Sequence, residues 1–298
     1  MAGETSTGSL RQALPSIIGS ARIVKEKKGL GTWRRTCEVH NQTPNTGLAW
    51  QEFALNQVTG ADITETTNNQ NFQTFSGSLL SSEPQMSQII MKVTDRTYAK
   101  IAAVVKSKMG SLAQNAIERK KDEDYLALFS GFATTASPGN GNPLSHSSIA
   151  SAKQNASSNT TEPTMAEVFT ILHGFQIYDI QVELLAGIGT YTVPEGITAE
   201  IFRRGFAGSV AGSNVFEDGN IAIVSSNANG ATHSREGVIA VQGMGIKHET
   251  DRDIYWGGGA DVISIRDEYS FVERQSGTAG TTQVWAYLHA SDATAPAA

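Results

Sequence analysis

The chain has 298 residues, of which 39% are hydrophobic and 17% are charged, enough to bury a substantial core in one large domain or two ordinary ones. The formal net charge of −6 gives no overall attraction to nucleic acid, and the single cysteine, Cys37, excludes an internal disulfide and any multi-cysteine zinc site. The N-terminal residues lack a signal-peptide pattern, and no apolar run approaches the roughly 18 residues of a membrane span. We therefore expect a protein that is cytosolic at synthesis and has no membrane partner.

Residues 1–40 are predicted to form an extended, basic N-terminal arm. They carry seven Lys and Arg residues against three acidic ones and show little apolar periodicity. Five of the basic side chains are close in sequence: Lys25, Lys27, Lys28, Arg34 and Arg35. Such a cluster is typical of non-specific contact with DNA phosphates, or of contact with an acidic surface. Cys37, at the end of this arm, is predicted to be an incidental small residue and not a nucleophile.

A long β-hairpin is predicted next. Residues 41–91 contain no Lys or Arg, and WQEFALNQV and ITETTNNQNFQTFSGS are typical of two polar strands joined by the turn sequence TGAD. An isolated two-stranded ribbon is marginal in water, so we expect this one to lie on another surface. Four aromatic side chains are predicted to seat it there: Trp50, Phe53, Phe72 and Phe75. A disordered polar loop is the alternative.

A long helical region is predicted after QMSQIIMKVT, which has a strand pattern. From Thr97 to Phe129 apolar residues recur at three and four positions, and Asp95 is placed to be the N-cap. Gly110 is predicted to break or bend this region. The second stretch, from Ser111 to Phe129, would be about 28 Å long at 1.5 Å per residue.

The remainder of the chain predicts a loop, two short helices and several strands. Residues 133–163 are rich in small and polar residues and predict a long surface loop. Thr164 and Glu167 form a capping-box pattern that predicts a helix at TMAEVFTILHGF, and Thr198 would cap a short helix at TAEIFRRGF. Five strand patterns follow: SNVFEDGN, IAIVSS, GVIAVQGMGI, DVISIRDEYSFVER and TTQVWAYLHA. Helices followed by clustered strands indicate an α+β fold and not repeating βαβ units.

The stretch richest in chemistry-bearing residues is HETDRDIYWGGGADVISIRDEY, residues 248–269. It lacks the second histidine that a zinc-protease helix needs four residues after His248, and Arg252 between two aspartates argues against a shared divalent ion. The chain has no nucleotide-binding glycine pattern in a strand–helix context and no nucleophile elbow. We therefore predict that it is not an enzyme and has no catalytic residue, metal or cofactor.

Six charged residues of this stretch are predicted instead to lie at strand ends and to meet other charges, within one chain or between chains: Asp251, Arg252, Asp253, Arg266, Asp267 and Glu268. Residues 257–259, three glycines, are predicted to form a turn or a close backbone approach. Exposed charge pairs contribute only about 0–1 kcal/mol. A solvated strand end without a specific role is therefore the alternative for each charged residue.

The order of these features resembles the major capsid protein of tailed bacteriophages, whose fold is named after phage Hong Kong 97. A basic arm comes first, then a polar hairpin in the place of the family's extended loop, then a spine-like helix ending AIERKKDEDYLALFSGF. GSVAGSNVFEDGNI is similar to the segment that enters the strands of the axial domain, and residues 235–274 resemble the return into the peripheral domain. The resemblance covers most of residues 45–275 and rests on the order of the motifs.

The resemblance implies a Hong Kong 97-like α+β fold in five parts. These are an N-terminal arm at 1–45, an extended hairpin at 46–92, a spine helix and peripheral domain with a surface loop at 93–163, a mainly axial region at 164–245, and return strands of the peripheral domain with a C-terminal tail at 246–298. It implies hexamers and pentamers in an icosahedral virion head that is assembled in the host cytoplasm and encloses double-stranded DNA. The implied partners are further copies of the chain, packaged DNA, and a cement or decoration protein, a portal and a scaffold.

Two other functions stay open at this point. An encapsulin-like cellular compartment shell would have the same fold, and a β-rich tail or binding module would share the strand patterns, although the long helical region argues against the latter. Some capsid proteins join an extended-loop lysine to an asparagine of a neighbouring subunit. Here no lysine lies between Lys28 and Lys92, so the hairpin lacks the amine nucleophile. We expect a shell without covalent cross-links.

Overall fold

The computed structural model describes residues 22–23, 31–43, 47–66, 72–100, 108–160, 162–187, 208–255, 258–274 and 285–296. The helices are α1 Trp33–Thr36, α2 Asp95–Lys100, α3 Met109–Ala127, α4 His146–Ser158 and α5 Gly174–Gly187. The strands are β1 Glu38–Asn41, β2 Trp50–Leu55, β3 Gly77–Ser82, β4 Gln85–Thr94, β5 Val168–Leu172, β6 Ser209–Val210, β7 Ser213–Glu217, β8 Ile223–Val224, β9 Asn227–Ser234, β10 Val238–Gln242, β11 Lys247–Asp253, β12 Ala260–Glu273 and β13 Ala286–Asp292. No helix among the described residues is both long enough and apolar enough to cross a membrane.

Two compact units are built from interleaved segments. The first contains Gln88–Ile117 and Lys247–Arg266, and the second contains Lys27–Ser87, Glu118–Ile246 and Asp267–Ala298. The five-part division predicted from the sequence stays a prediction. The last strand, β13, pairs antiparallel with β9.

In the first unit, β11 pairs antiparallel with the first part of β12, in a register that runs from Lys247 opposite Arg266 to Asp253 opposite Ala260. β4 also pairs with β12. Val93, Ala113 and Ile117 are the buried apolar side chains that β4 and the start of α3 contribute. The strand patterns predicted for β4 and β12 are confirmed.

In the second unit, the strand order of the larger sheet is β13–β9–β5–β7–β6, with β8 beside β9. The central strand β5 is buried at all five positions, between parallel β7 and antiparallel β9. The helix predicted at TMAEVFTILHGF is therefore wrong over Val168–Leu172, and the next helix begins only at Gly174. A strand buried on both faces shows no alternation, so a short apolar run does not reveal whether it is strand or helix.

The surface loop predicted at residues 133–163 is wrong where α4 forms. The Ser145 hydroxyl caps this helix by accepting the backbone N–H of Ser148 at 3.3 Å. Ile149, Ala152 and Ala156 are fully buried and recur at three and four residues, so one face of α4 is apolar. Its serines and alanines resemble a loop in composition, but the small side chains allow close packing against Tyr287 of β13.

The described end of the basic N-terminal segment is packed, not extended. Trp33 and Cys37 belong to the largest buried cluster, together with Tyr125 and Phe129 of the α3 region. Directly after α1, β1 pairs in parallel with β10, from Glu38 opposite Ile239 to Asn41 opposite Gln242. The prediction of an extended arm is therefore wrong for residues 31–41, because their apolar side chains have a core to enter.

α3 confirms the predicted spine-like helix. It spans 19 residues and continues into a 3₁₀ turn at Leu128–Gly131. It begins at Met109, so Gly110 lies in its first turn and does not interrupt it. The predicted helical residues 101–107 and the short helix predicted at residues 198–206 lie outside the described residues.

Gly230 in β9 gives a test of how tightly the larger sheet is packed. A β-carbon at this position would lie 2.6 Å from Cδ2 of Leu172 and 2.8 Å from the backbone oxygen of Ile171. We expect Gly230→Ala to lower the free energy of unfolding by about 1–3 kcal/mol, because overpacking forces backbone shifts. Urea unfolding of the unassembled chain measures this. Gly60→Ala is the control, since nothing lies within 4 Å of its β-carbon position. Equal effects of the two substitutions would contradict the packing described.

Candidate functional site

The base of the hairpin is anchored on its own chain. β2 and β3 pair antiparallel from Trp50 opposite Ser82 to Leu55 opposite Gly77. On one face, Leu80 is buried against Ile239 and Val241 of β10, with Trp50 packed alongside. Order at the base therefore does not need a neighbouring chain, which corrects the expectation drawn from the hairpin's low apolar content.

Arg274, just after β12, fixes this base electrostatically. Its Nε donates to Oε2 of Glu52 in β2 at 3.1 Å, and its Nη1 donates to Oε2 of Glu38 in β1 at 2.8 Å. Nη1 also donates to the backbone oxygen of Glu236 at 3.0 Å. Burial acts to raise the pKa of Glu38, but the hydrogen bond and charge of Arg274, with His40, bring that pKa below its usual range. Arg274 thus joins the hairpin to two elements of the core.

The opposite face of the hairpin base is apolar and exposed. Phe53 is 58% exposed, and its neighbours Leu55 and Leu79 are also exposed. Beyond the strands, Phe72 and Phe75 are 90% and 77% exposed. Of the four aromatic residues predicted to seat the hairpin, Trp50 faces its own chain, where its ring lies 5.0 Å from that of His40. The other three face outward.

Hydrogen bonds continue the ribbon beyond the paired strands. The backbone N–H of Asn56 donates to the Ser76 backbone oxygen at 2.8 Å, and their side chains form a second bond. Farther out, the Gln73 side chain accepts the Thr59 backbone N–H at 2.8 Å and donates to the Thr59 backbone oxygen. These bonds keep the two arms of the hairpin together while its apolar side chains stay exposed.

Charges at the end of β11 in the first unit are paired within the chain. Arg252 makes a forked contact with Asp95, at 2.6 and 3.3 Å, and its Nη1 also lies 3.1 Å from Oδ1 of Asp261. Lys92 pairs with Asp253 and lowers the pKa of that carboxyl. Asp251 accepts the backbone N–H of Arg252 at 2.8 Å. Arg252 and Asp253 thus meet opposite charges within the chain, and Asp251 accepts a backbone N–H. Contact of these residues between chains stays a prediction.

The glycine turn next to these charges is also confirmed where it is described. Gly258 and Gly259 have φ angles of +88° and +111°, a region that favours glycine. A β-carbon on Gly259 would lie 2.8 Å from Oδ2 of Asp95, so the glycine permits the Arg252 fork. Gly257 lies outside the described residues. No sequence pattern singles out Tyr255, which is 94% exposed at this turn.

Arg266, Asp267 and Glu268 are not at a strand end, because β12 runs from Ala260 to Glu273. Arg266 pairs across the ladder with Glu249 of β11, and Glu268 accepts the backbone N–H of Met244 at 3.1 Å. Each of the three charges thus has a partner within its own unit, and the strand-end prediction is wrong for them.

Asp267 is fully buried and paired with Lys121 of α3, which is also buried. The Lys121 ammonium lies over the rings of Tyr269 and Trp33, at 5.1 and 5.3 Å from their centres. Gln242 donates to Oδ1 of Asp267 at 2.6 Å and completes the carboxylate's environment. The sequence interpretation missed Lys121, although it stands four residues after buried Ile117 and four before buried Tyr125.

The described part of the basic cluster consists of Arg34 and Arg35, both exposed on α1. Arg34 pairs with Glu118 of α3 at 2.5 Å. Lys25, Lys27 and Lys28 lie outside the described residues. Burial raises the pKa of the Cys37 thiol to about 12, so it stays a neutral thiol near pH 7. Among the described residues, no group of three or more His, Cys, Asp or Glu side chains is placed to hold a metal ion.

Comparison with solved structures identifies the fold. Over 97% of this chain and 96% of the other, the structure matches the capsid of the cyanophage P-SCSP1u with a TM-score of 0.71 at 14% identity. The capsid of Ralstonia phage GP4 matches over 95% and 96%, with a TM-score of 0.68 at 11% identity. The head structure of Helicobacter pylori bacteriophage KHP40 matches over 94% and 96%, with a TM-score of 0.66 at 11% identity.

These matches span nearly the whole length of both chains. The chain has the α+β fold of tailed-phage capsid proteins, and the fold predicted from the sequence is confirmed. No protein-family model matches the sequence, and no curated protein matches it either.

The buried ion pair on α3 gives a test with a neighbouring control. We expect Lys121→Met to lower the free energy of unfolding by about 3–5 kcal/mol, because it leaves the buried Asp267 carboxylate without its counter-charge. Lys120→Met removes the exposed pair with Asp124 one residue away and should cost about 0–1 kcal/mol. Urea unfolding of the unassembled chain measures both. Adding Asp267→Asn to Lys121→Met should restore much of the loss. If Lys121→Met costs no more than Lys120→Met, the pair does not have the structural importance assigned to it.

Proposed function

We propose that the chain is a major capsid protein that self-assembles into the hexamers and pentamers of an icosahedral phage head enclosing double-stranded DNA. The observation that carries this proposal is the match, over nearly the full length of both chains, to the subunits of assembled phage capsids. The role is structural and not catalytic. The proposal includes a location in the virion and assembly in the host cytoplasm.

The exposed face of the hairpin is the surface that we assign to contact between subunits. Phe53, Phe72 and Phe75 present apolar area on a ribbon whose base is fixed to its own chain. Large exposed apolar side chains on a monomer are typical of an interaction surface. A pre-ordered hairpin loses less conformational entropy on binding than a disordered loop would. The hairpin can therefore reach a neighbour without being held by it.

The charge of the N-terminal residues indicates a second kind of contact. We propose that the basic N-terminal residues, among them Lys25, Lys27, Lys28 and Arg35, contact packaged DNA phosphates or the acidic surface of a neighbouring subunit. A negatively charged chain would use such a local basic segment for non-specific contacts that weaken with salt. A cement or decoration protein, a portal and a scaffold complete the set of partners expected for a phage head.

Electron microscopy of the purified full-length chain tests this function. We expect closed shells or rings of five and six subunits in negative stain, and a subunit that stays monomeric at every concentration would contradict the proposal. The combined substitutions Phe53→Ser, Phe72→Ser and Phe75→Ser should leave a folded subunit that needs at least about tenfold more protein to assemble. Each phenylalanine that becomes buried contributes about 1.5–3 kcal/mol.

The matched control is Met165→Ser with Val224→Ser, which removes exposed apolar side chains outside the hairpin. Sedimentation velocity over a concentration series measures assembly for the wild type and both variants. If the triple variant assembles as well as the wild type and the control, the hairpin face does not make the proposed contact between subunits. Shells that contain genome-length DNA distinguish a phage head from a cellular compartment shell.

Shells of this protein are expected to be held without covalent bonds between subunits. The hairpin offers acceptor amides but no lysine, since none lies between Lys28 and Lys92, and Cys37 is buried. Mature particles boiled in detergent should therefore run as one band at 31.7 kDa on a denaturing gel. A ladder of multimers that survives reductant would show a cross-link of another chemistry.

A further inference from the structure

Two aspartates in the second unit share one buried site. Asp122 lies on α3 and Asp218 directly follows β7, and both are fully buried. Asn220 bridges them, because its backbone N–H donates to Oδ1 of Asp218 at 2.8 Å and its amide donates to Oδ2 of Asp122 at 3.1 Å. Ionisation of both buried carboxyls, which share the same hydrogen-bond donors, is opposed by their mutual repulsion.

Thr32, just before α1, forms a second bridge between the same carboxyls. Its backbone N–H donates to Oδ1 of Asp122 at 3.0 Å, and its hydroxyl donates to Oδ2 of Asp218 at 2.5 Å. Because the hydroxyl is used in this way, it does not cap α1. Both aspartates thus hold the same residue, Thr32, which lies where the basic N-terminal segment meets the core.

The surroundings supply no counter-charge to this pair within the described contacts. Lys121, the next residue on α3, has its ammonium paired with Asp267. Cys37 and Tyr125 also face Asp122, and burial raises the pKa of both groups, so they stay neutral near pH 7. Glu217, next to Asp218, turns its carboxylate towards Gly174. The hydrogen-bond donors to the two aspartates come from Thr32, Asn220 and the backbone of Trp33, and all of these groups are uncharged.

We propose that the Asp122–Asp218 pair is a proton-dependent latch, which holds the Thr32 segment against α3 while the pair shares a proton and releases it when both carboxyls ionise. The step is the loss of one proton to water, and the repulsion that results separates the two carboxylates that Thr32 bridges. This latch belongs to the folded subunit and does not rest on the proposed function. In a shell, the latch would control whether the chain just after the basic segment stays bound to α3 as pH rises.

The direction of the pH effect follows from the protonation of the two states. Burial, with the hydrogen bond and charge of Asp218, raises the pKa of Asp122 from 3.8 to about 7. The closed latch therefore binds more protons than the open one, and its stability is complete below the ordinary carboxyl pKa and is lost as pH rises towards 7. The opening equilibrium should grow by about tenfold per pH unit over this window and level off above it.

Hydrogen exchange at the Thr32 amide tests the latch, because this N–H donates directly to Asp122. In the unassembled full-length chain, its protection, corrected for the intrinsic exchange rate, should fall by about a hundredfold from pH 5 to pH 7 and then level off. The amide of Ile171 in the central strand β5 should not follow this slope. In Asp218→Asn, which removes the repulsion but leaves Asp122 buried, the fall in protection at Thr32 should be clearly smaller than in the wild type.

Two outcomes would overturn the proposal: protection at Thr32 that is flat in the wild type between pH 5 and 7, or the same fall in Asp218→Asn. Should Asp218→Asn fail to fold, titration of the side-chain carboxyl carbons in the labelled wild-type chain gives an independent answer. One carboxyl of the pair should then titrate near pH 7. Titration of both aspartates below about pH 5 would overturn the latch, since neither would hold a proton at neutral pH.

Discussion

The middle of α3 is where the second unit is held together, because two successive buried ionisable side chains there bind different parts of the chain. Lys121 pairs with Asp267 in the middle of β12, and Asp122 accepts the N–H of Thr32 before α1. A buried polar or charged group is tolerated only where its partner is placed accurately, so these contacts fix the position of β12 and of the α1 segment relative to the helix. Apolar packing alone would tolerate more positions.

The position of the hairpin depends indirectly on these contacts of α3, through β12. β12 ends at Glu273, and Arg274 follows it with its guanidinium between Glu38 and Glu52. The same strand pairs with β10, whose Ile239 and Val241 receive Leu80 of the hairpin. By fixing the position of β12, the Asp267 contact therefore also helps to position the base of the hairpin. Because the base is ordered by its inner face, the outer apolar face is not needed for packing within the subunit.

How far the sequence predicts the structure depends on whether a signal is local. Alternation predicted β4 and β12, and the three- and four-residue spacing predicted α3, because each of these elements has one face buried and the other exposed. The strand Val168–Leu172 is not marked in the sequence, because a strand buried on both faces has no alternation. The helix His146–Ser158 resembles a loop in sequence, because a helix with a face of Ile149 and small alanines has little apolar contrast.

The site residues follow the same division. Exposure of Phe53, Phe72 and Phe75 agrees with a polar hairpin that has too few apolar neighbours to cover them. The pairing of Asp267 with Lys121 joins residues that are far apart in sequence, so no local pattern marks it. A partial signal exists, since Ile117, Lys121 and Tyr125 form one row at four-residue spacing on the buried face of α3. Nothing comparable marks Asp122 and Asp218, which meet only in the folded chain.

Buried titratable groups in the second unit affect the free energy of unfolding in opposite directions as pH changes. Burial lowers the pKa of His233 and of His289 to about 4, so each imidazole is neutral in the fold and stability is lost as pH falls below about 6.5. Burial acts in the opposite direction on carboxyls and raises the pKa of Asp122 and of Glu273 to about 7. Their contribution is lost as pH rises. Between about pH 4 and 7 the two pairs therefore oppose each other in the free energy of unfolding. Global stability can stay nearly constant across this range, while the contact at Thr32, which depends on the carboxyl pair alone, responds to each change in pH.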